Sequence, residues 1–154
     1  MRNVASPNKL AKGTVLDEAT VQLHLAQYLK LQYPRVLFRS DYASGLKLTI
    51  AQAKRHKSLQ SGRAWPDIFI AEPRGGYHGL FIEVKRDGTR LYLRNGEPAT
   101  PHIAEQAEVL NQLRLRGYQA AFGVGFEETK DMIDAYLQEA HIYHDLDTCP
   151  FVYK

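Results

Sequence analysis

Two short motifs in this chain group side chains that can hold a cation with one that can donate a hydrogen bond: Pro66-Asp67 and Glu83-Val84-Lys85. They border two hydrophobic runs, Asp67-Ile68-Phe69-Ile70 and Gly79-Leu80-Phe81-Ile82, separated by the turn signal Pro73-Arg74-Gly75-Gly76. The runs are expected to pair as an antiparallel hairpin. Side chains alternate along a strand, so Glu83 and Lys85 share one face while Ile82 and Val84 take the other. A carboxylate and an amine then lie side by side on a half-buried sheet, which is costly unless they are paired or hold a metal. Magnesium takes oxygen ligands and needs only one or two protein carboxylates, so Asp67 and Glu83 would suffice. Taken singly, Asp67 is also an ordinary turn residue after proline, and an exposed Glu-x-Lys pair contributes less than ~1 kcal/mol. It is the grouping that points to chemistry.

The elements that must position these residues can be read on either side of them. Gln106, Leu110, Leu113 and Gly117 form one stripe of a helix that begins at Pro101 and ends near the glycine. Glu18, Gln22, Leu25 and Leu29 repeat the spacing on a helix from about Asp17 to Gln32, stopped by Pro34. Each helix therefore aims a polar side chain inward at the head of an apolar face.

Glu-x3-Gln on a first helix, then Pro-Asp, Glu-x-Lys and Gln-x3-Leu-x2-Leu-x3-Gly, is the order found in the virus-type replication-repair nuclease (VRR-NUC) branch of the PD-(D/E)XK superfamily. The chain resembles that family from roughly Glu18 to Val124. The resemblance implies metal-dependent hydrolysis of DNA phosphodiesters, with Mg2+ as cofactor and Mn2+ able to substitute. Asp67 and Glu83 match the family's metal ligands, Lys85 its catalytic lysine, Gln106 its active-site glutamine and Glu18 its helix carboxylate. Glu18 would bind a second metal or a metal-bound water, with Asp17 as the alternative if the helix is rotated. Lys85 would orient the attacking water or stabilise developing charge, and Gln106 would orient Lys85 or the water. Trp65 departs from the family's pattern, which often has glycine before the proline. Single-domain members resemble junction resolvases, so the resemblance also implies branched DNA, such as a four-way junction, in a phage or repair setting, and a homodimer matching the junction's equivalent strands. The alternatives are an inactive nucleic-acid-binding module of the same fold and a sequence-specific restriction-type endonuclease.

The remaining sequence predicts an α/β fold, a mixed central sheet flanked by helices, in agreement with the restriction-endonuclease-like core that the resemblance implies. Val36-Leu37-Phe38 reads as a short strand. Between Gly45 and Gly62, Leu46, Leu48 and Ile50 alternate like a strand, but Ala51 to Leu59 suits a helix, and helix is preferred. Arg86 to Pro101 reads as a polar flap with a turn at Asn95-Gly96. Tyr118 to Gly125 follows as a buried strand, joined to the Glu83 strand by a right-handed crossover, then Glu127 to Ala140 as a helix. Val152 is placed in a last short strand, and residues 1 to 13 in a loose arm of a single 154-residue domain.

The chain has 20 basic and 17 acidic residues, a net charge of +3 too mild to indicate nucleic acid by itself. Its distribution says more: from Arg35 to Arg63 there are seven Lys or Arg against Asp41, and Lys85 to Arg94 holds four against Asp87. Glu127 to Glu139 reverses this, with five acids against Lys130. Phosphates are therefore expected to approach one side, met by Arg39, Lys54, Arg55, Lys57, Arg63, Arg86, Arg90 and Arg94, with Lys47 also within the first basic run. Trp65 is expected in the core, with stacking on an unpaired base, alone or with Tyr42, as the alternative. His141 and His144 are a weak zinc signal and read as surface residues. Cys149 is the only cysteine, which excludes an internal disulfide or a cysteine-zinc cluster. No segment approaches the ~20 apolar residues that cross a bilayer, and the first 13 residues lack a signal-peptide core, so a cytoplasmic location without membrane contact is expected.

Overall fold

A computed structural model describes residues 15–41, 46–62 and 64–139. The expected N-terminal arm, Tyr42, Arg63, His141, His144, Cys149 and the strand at Val152 lie outside the described residues.

The first helix, α1 (Glu18–Gln32), starts where the Asp17 carboxylate accepts from the Thr20 amide at 2.7 Å, a side-chain cap for an otherwise unpaired donor. Strand β1 (Phe38–Ser40) begins two residues later than the hydrophobic triplet suggested. Val36 is held in a turn by its bond to the Tyr33 carbonyl, and Leu37 is exposed, so ladder pairing starts with Phe38 opposite Ile70. Helix α2 (Ile50–Ser58) carries a full capping box between Thr49 and Gln52, and none of its residues is buried.

Strands β2 (Ile68–Ile70) and β3 (Leu80–Lys85) form the expected antiparallel hairpin. Its tip is a two-residue turn in which Arg74 and Tyr77 exchange both backbone hydrogen bonds, while Gly75 and Gly76 take φ of 56° and 88°. Two successive positive φ values are the requirement of a primed turn, which side-chain-bearing residues meet poorly.

Helix α3 (Pro101–Leu115) is capped by Thr100, whose hydroxyl accepts from the Ile103 amide, with Pro101 where no amide donor is missed. It leads to β4 (Gln119–Val124), which pairs parallel with β3. Helix α4 (Gly125–Gln138) starts two residues before the expected Glu127, because the Glu128 carboxylate reaches back to the Val124 amide.

The four strands are ordered β1-β2-β3-β4, antiparallel except for the last pair. One face is covered by α1 and α4, whose Val21, Leu25, Leu29 and Ile133 pack on Ile68, Ile70, Ile82 and Val84. The other is covered by α3, whose Ile103, Leu110 and Leu113 pack on Phe81, Ala120 and Phe122. The sheet is thus not half-buried around the motif: all six residues of β3 are buried, because α3 closes the face that carries Glu83 and Lys85.

Candidate active site

Strand alternation places Glu83 and Lys85 on the α3 face in line with Phe81, where they are only 4% and 5% exposed. A solvent-facing ion pair is therefore ruled out for these two. Lys85 Nζ lies 2.9 Å from Glu83 Oε1. The buried row of α3 runs Ile103, Gln106, Leu110, Leu113, and this sets Gln106 directly over the strand. Its Nε2 donates to Glu83 Oε1 rather than to Lys85, one of the two groups, with the water, that it was expected to orient. A carboxylate can only accept, so the amide nitrogen faces it and the amide oxygen is turned away. That oxygen is buried with no hydrogen-bond partner.

Asp67 sits one step before β2, beyond the Ile68–Ile82 pair, and its Oδ2 accepts from the Val84 amide at 2.8 Å. Burial first, and the Asp67 charge second, push the Glu83 carboxyl up to about 8, against the opposing pull of Lys85. Two neighbouring carboxylates in low dielectric cannot both ionise cheaply.

Glu18 opens α1 with its Oε1 4.0 Å from Lys85 Nζ and its side chain 44% exposed. Asp17 is engaged as the helix cap, which holds its carboxyl below the usual range. Of the two candidates it is therefore Glu18 that reaches the cluster, and it does so through the lysine. Among the described residues no three His, Cys, Asp or Glu side chains are grouped closely enough to hold a metal by themselves. The three expected ligands Asp67, Glu83 and Glu18 do not form such a group, and of them Asp67 and Glu83 act most strongly on one another. This pair still fits a hard divalent cation, which keeps water or substrate oxygens in its other positions. The fit rests on two crowded carboxylates that one lysine does not neutralise, next to an amide oxygen lacking a donor.

Sequence reasoning gave Gln22 no role beyond its place in a stripe. It is buried, and its Nε2 donates to the backbone carbonyls of Asp67 at 3.2 Å and Asp41 at 3.3 Å, tying α1 to the chain on which Asp67 is mounted. A polar residue at a buried stripe position was the available signal. His56 and Asp41 were also missed: His56 Nε2 lies 3.4 Å from Asp41 Oδ1 and links α2 to the end of β1. No sequence spacing announces that contact. Arg39, Lys54, Arg55, Lys57, Arg86, Arg90 and Arg94 are all exposed, as phosphate-contacting residues must be. Trp65 corrects an expectation: it is 42% exposed, resting edge-on against Phe81 instead of entering the core.

A mixed sheet with helices on both faces, and an acid at the start of one strand beside Glu-x-Lys at the end of the next, defines the restriction-endonuclease-like α/β fold of the PD-(D/E)XK type. Among the solved structures two chains match this one. One of them, a VRR_NUC domain protein, is 25% identical with a TM-score of 0.58, over 81% of this chain and 91% of its own. Neither a family model nor a curated protein matches the sequence. The chain is therefore similar in sequence and fold to a VRR-NUC domain, and that likeness points to a nuclease of the PD-(D/E)XK type.

Proposed function

We propose that this protein is a divalent-metal-dependent deoxyribonuclease that hydrolyses phosphodiester bonds at the cluster formed by Asp67, Glu83, Lys85 and Gln106. The observation that carries the reading is the burial of Glu83 and Lys85 in contact beneath Gln106, with Asp67 alongside. A structural role alone does not call for a charged pair there, since apolar residues of similar volume would fill the space at no greater cost.

Asp67 and Glu83 are the residues to hold Mg2+, or Mn2+ in its place. When bound, the cation would supply charge neutralisation at the phosphoryl oxygens and acidify the attacking water. The protein's own groups do the rest. Lys85, fixed by its bond to Glu83, directs an ammonium at the reacting phosphate and stabilises the negative charge that develops there. Gln106 holds the Glu83 carboxylate in one orientation and offers its vacant amide oxygen as an acceptor for a water proton. Glu18 supports Lys85 from the opposite side, and Gln22 fixes the backbone under Asp67.

Branched DNA, including four-way junctions, is the substrate class in this reading, and a twofold dimer would match its paired strands. Sedimentation of the free protein reports that assembly. Exposed arginines and lysines, with no sequence-reading module among the described elements, support recognition of DNA shape.

The test is cleavage of junction, flap and plain duplex DNA with and without Mg2+. Loss of a residue that merely orients a metal ligand costs about 10–100-fold, so Asp67→Ala, which removes a ligand, should lower cutting by at least ~100-fold while DNA binding in EDTA persists. Lys85→Ala should do the same. A wild-type protein that binds but never cuts would make this an inactive binding module, and defined fragments from plain duplex would indicate a restriction-type enzyme.

A further inference from the structure

Beside the acid cluster, on the α3 face of the sheet, lies an open hollow of about 730 Å³, and Asp67 forms part of its wall. Its floor is aromatic. Phe69 and Phe81 stack with centroids 4.3 Å apart, and Tyr118 meets Phe81 edge-on at 5.1 Å. Trp65 stands over this floor with its ring nearly perpendicular to Phe81, 5.6 Å away. A second hollow of about 400 Å³ borders the same indole and shares Leu113 and Arg116 with the first. Two exposed cations, Arg39 and Arg116, line the larger hollow.

A large aromatic left partly in water, with space beside it, forgoes burial worth about 25 cal/mol per Å². The apolar floor, the part-exposed indole beside it and the guanidinium rim match the two ends of a nucleotide, a base that stacks and a phosphate that carries charge. A paired base inside a duplex cannot present its face to such a floor, whereas an unpaired one can. Because Asp67 belongs both to the hollow and to the acid cluster, a base held here would be next to the bond being cut.

We propose that this hollow is a base-binding subsite, in which an unpaired nucleotide beside the scissile phosphate stacks on Trp65 while Arg39 and Arg116 hold its flanking phosphates. The inference rests on the nuclease reading and narrows it to DNA with unpaired nucleotides at the cleavage position, such as a flap, a gap or an opened junction centre. An apolar peptide would satisfy the floor but not the two guanidinium groups that line the hollow with Asp67, so the nucleotide is the occupant that both features fit.

Trp65 is the only tryptophan in the chain, so its emission reports on the hollow directly. The full-length protein is titrated in EDTA with a flap DNA and with a blunt duplex of equal phosphate number, and occupancy is followed separately by anisotropy of labelled DNA. At equal occupancy the flap should quench the indole at least about twice as strongly as the duplex. Trp65→Ala should weaken flap binding about tenfold with duplex binding little changed, and Trp65→Tyr should restore it. Equal quenching by flap and duplex overturns the proposal, and that comparison uses only the wild-type fold. Unchanged flap affinity in Trp65→Ala also overturns it. If the same wild-type preparation cuts the flap with Mg2+, only the base subsite falls. If wild type neither binds nor cuts any of these DNAs, the nuclease reading falls with it.

Discussion

Glu83 is covered by α3 and lies beside Asp67, and its carboxyl is pushed up to about 8 by burial and then by that neighbouring charge. In the unfolded chain the same group titrates near the ordinary 4.5. Between these values the folded protein keeps a proton that the unfolded chain has released. The stability contributed is therefore complete below 4.5 and is lost as pH rises through 8. Measured by urea titration in EDTA from about pH 5 to about pH 9, the unfolding free energy of wild type should fall more steeply than that of Glu83→Gln, by up to on the order of 1 kcal/mol per pH unit. Glu83→Gln removes the titration but keeps an oxygen for Lys85 to bond. Parallel profiles would mean that Glu83 is ionised throughout and that the crowding by Asp67 is relieved some other way.

At the scale of elements, legibility followed burial. Gln22, Leu25 and Leu29 on one helix, and Gln106, Leu110 and Leu113 on another, could be read because their buried stripes repeat at helical spacing, with Glu18 one turn ahead of the first. The hairpin was readable from Gly75-Gly76, and the contact of Glu83 with Lys85 from strand alternation. Less could be read where a long-range neighbour decides the outcome. Closure of the Glu83 face by α3 depends on a helix 18 positions further on, and the exposure of Trp65 depends on the hollow beside Phe81. Helix α2 was ambiguous for a related reason: without buried residues it has no core stripe to read. Its order comes from the Thr49–Gln52 capping box and the His56–Asp41 link. Thr49→Ala should therefore remove about 1 kcal/mol from this helix alone, speeding hydrogen exchange of the amides near Arg55 roughly fivefold with the global urea midpoint unchanged. A drop in the global midpoint would show that α2 shares the cooperative unit of the core.

Across the whole molecule, exposed basic side chains gather around the hollow and α2, whereas α4 is acidic. The α3 face carries the acid cluster and the hollow lined by His56, Arg39 and Arg116, with Lys54, Arg55 and Lys57 exposed on the helix that reaches its rim. The opposite face is closed by α4, which exposes Glu127, Glu128 and Asp131. A polyanion is thus attracted to the side that holds Lys85 and repelled from the other, and the net charge of +3 understates this asymmetry. Binding that neutralises phosphates releases counterions, so the logarithm of affinity falls with the logarithm of salt by about 0.9 for each duplex phosphate contacted. Replacing Lys54, Arg55 and Lys57 together with Gln should reduce that slope by about two to three for junction DNA in EDTA and weaken binding most at low salt. Replacing Glu127, Glu128 and Asp131 with Gln should leave the slope within about half a unit, because those groups lie on the face the DNA does not meet. A larger change from the acidic set than from the basic set would place the DNA on α4 and detach the basic helix from substrate binding. That outcome would leave the cluster around Glu83 without an electrostatic approach for its substrate.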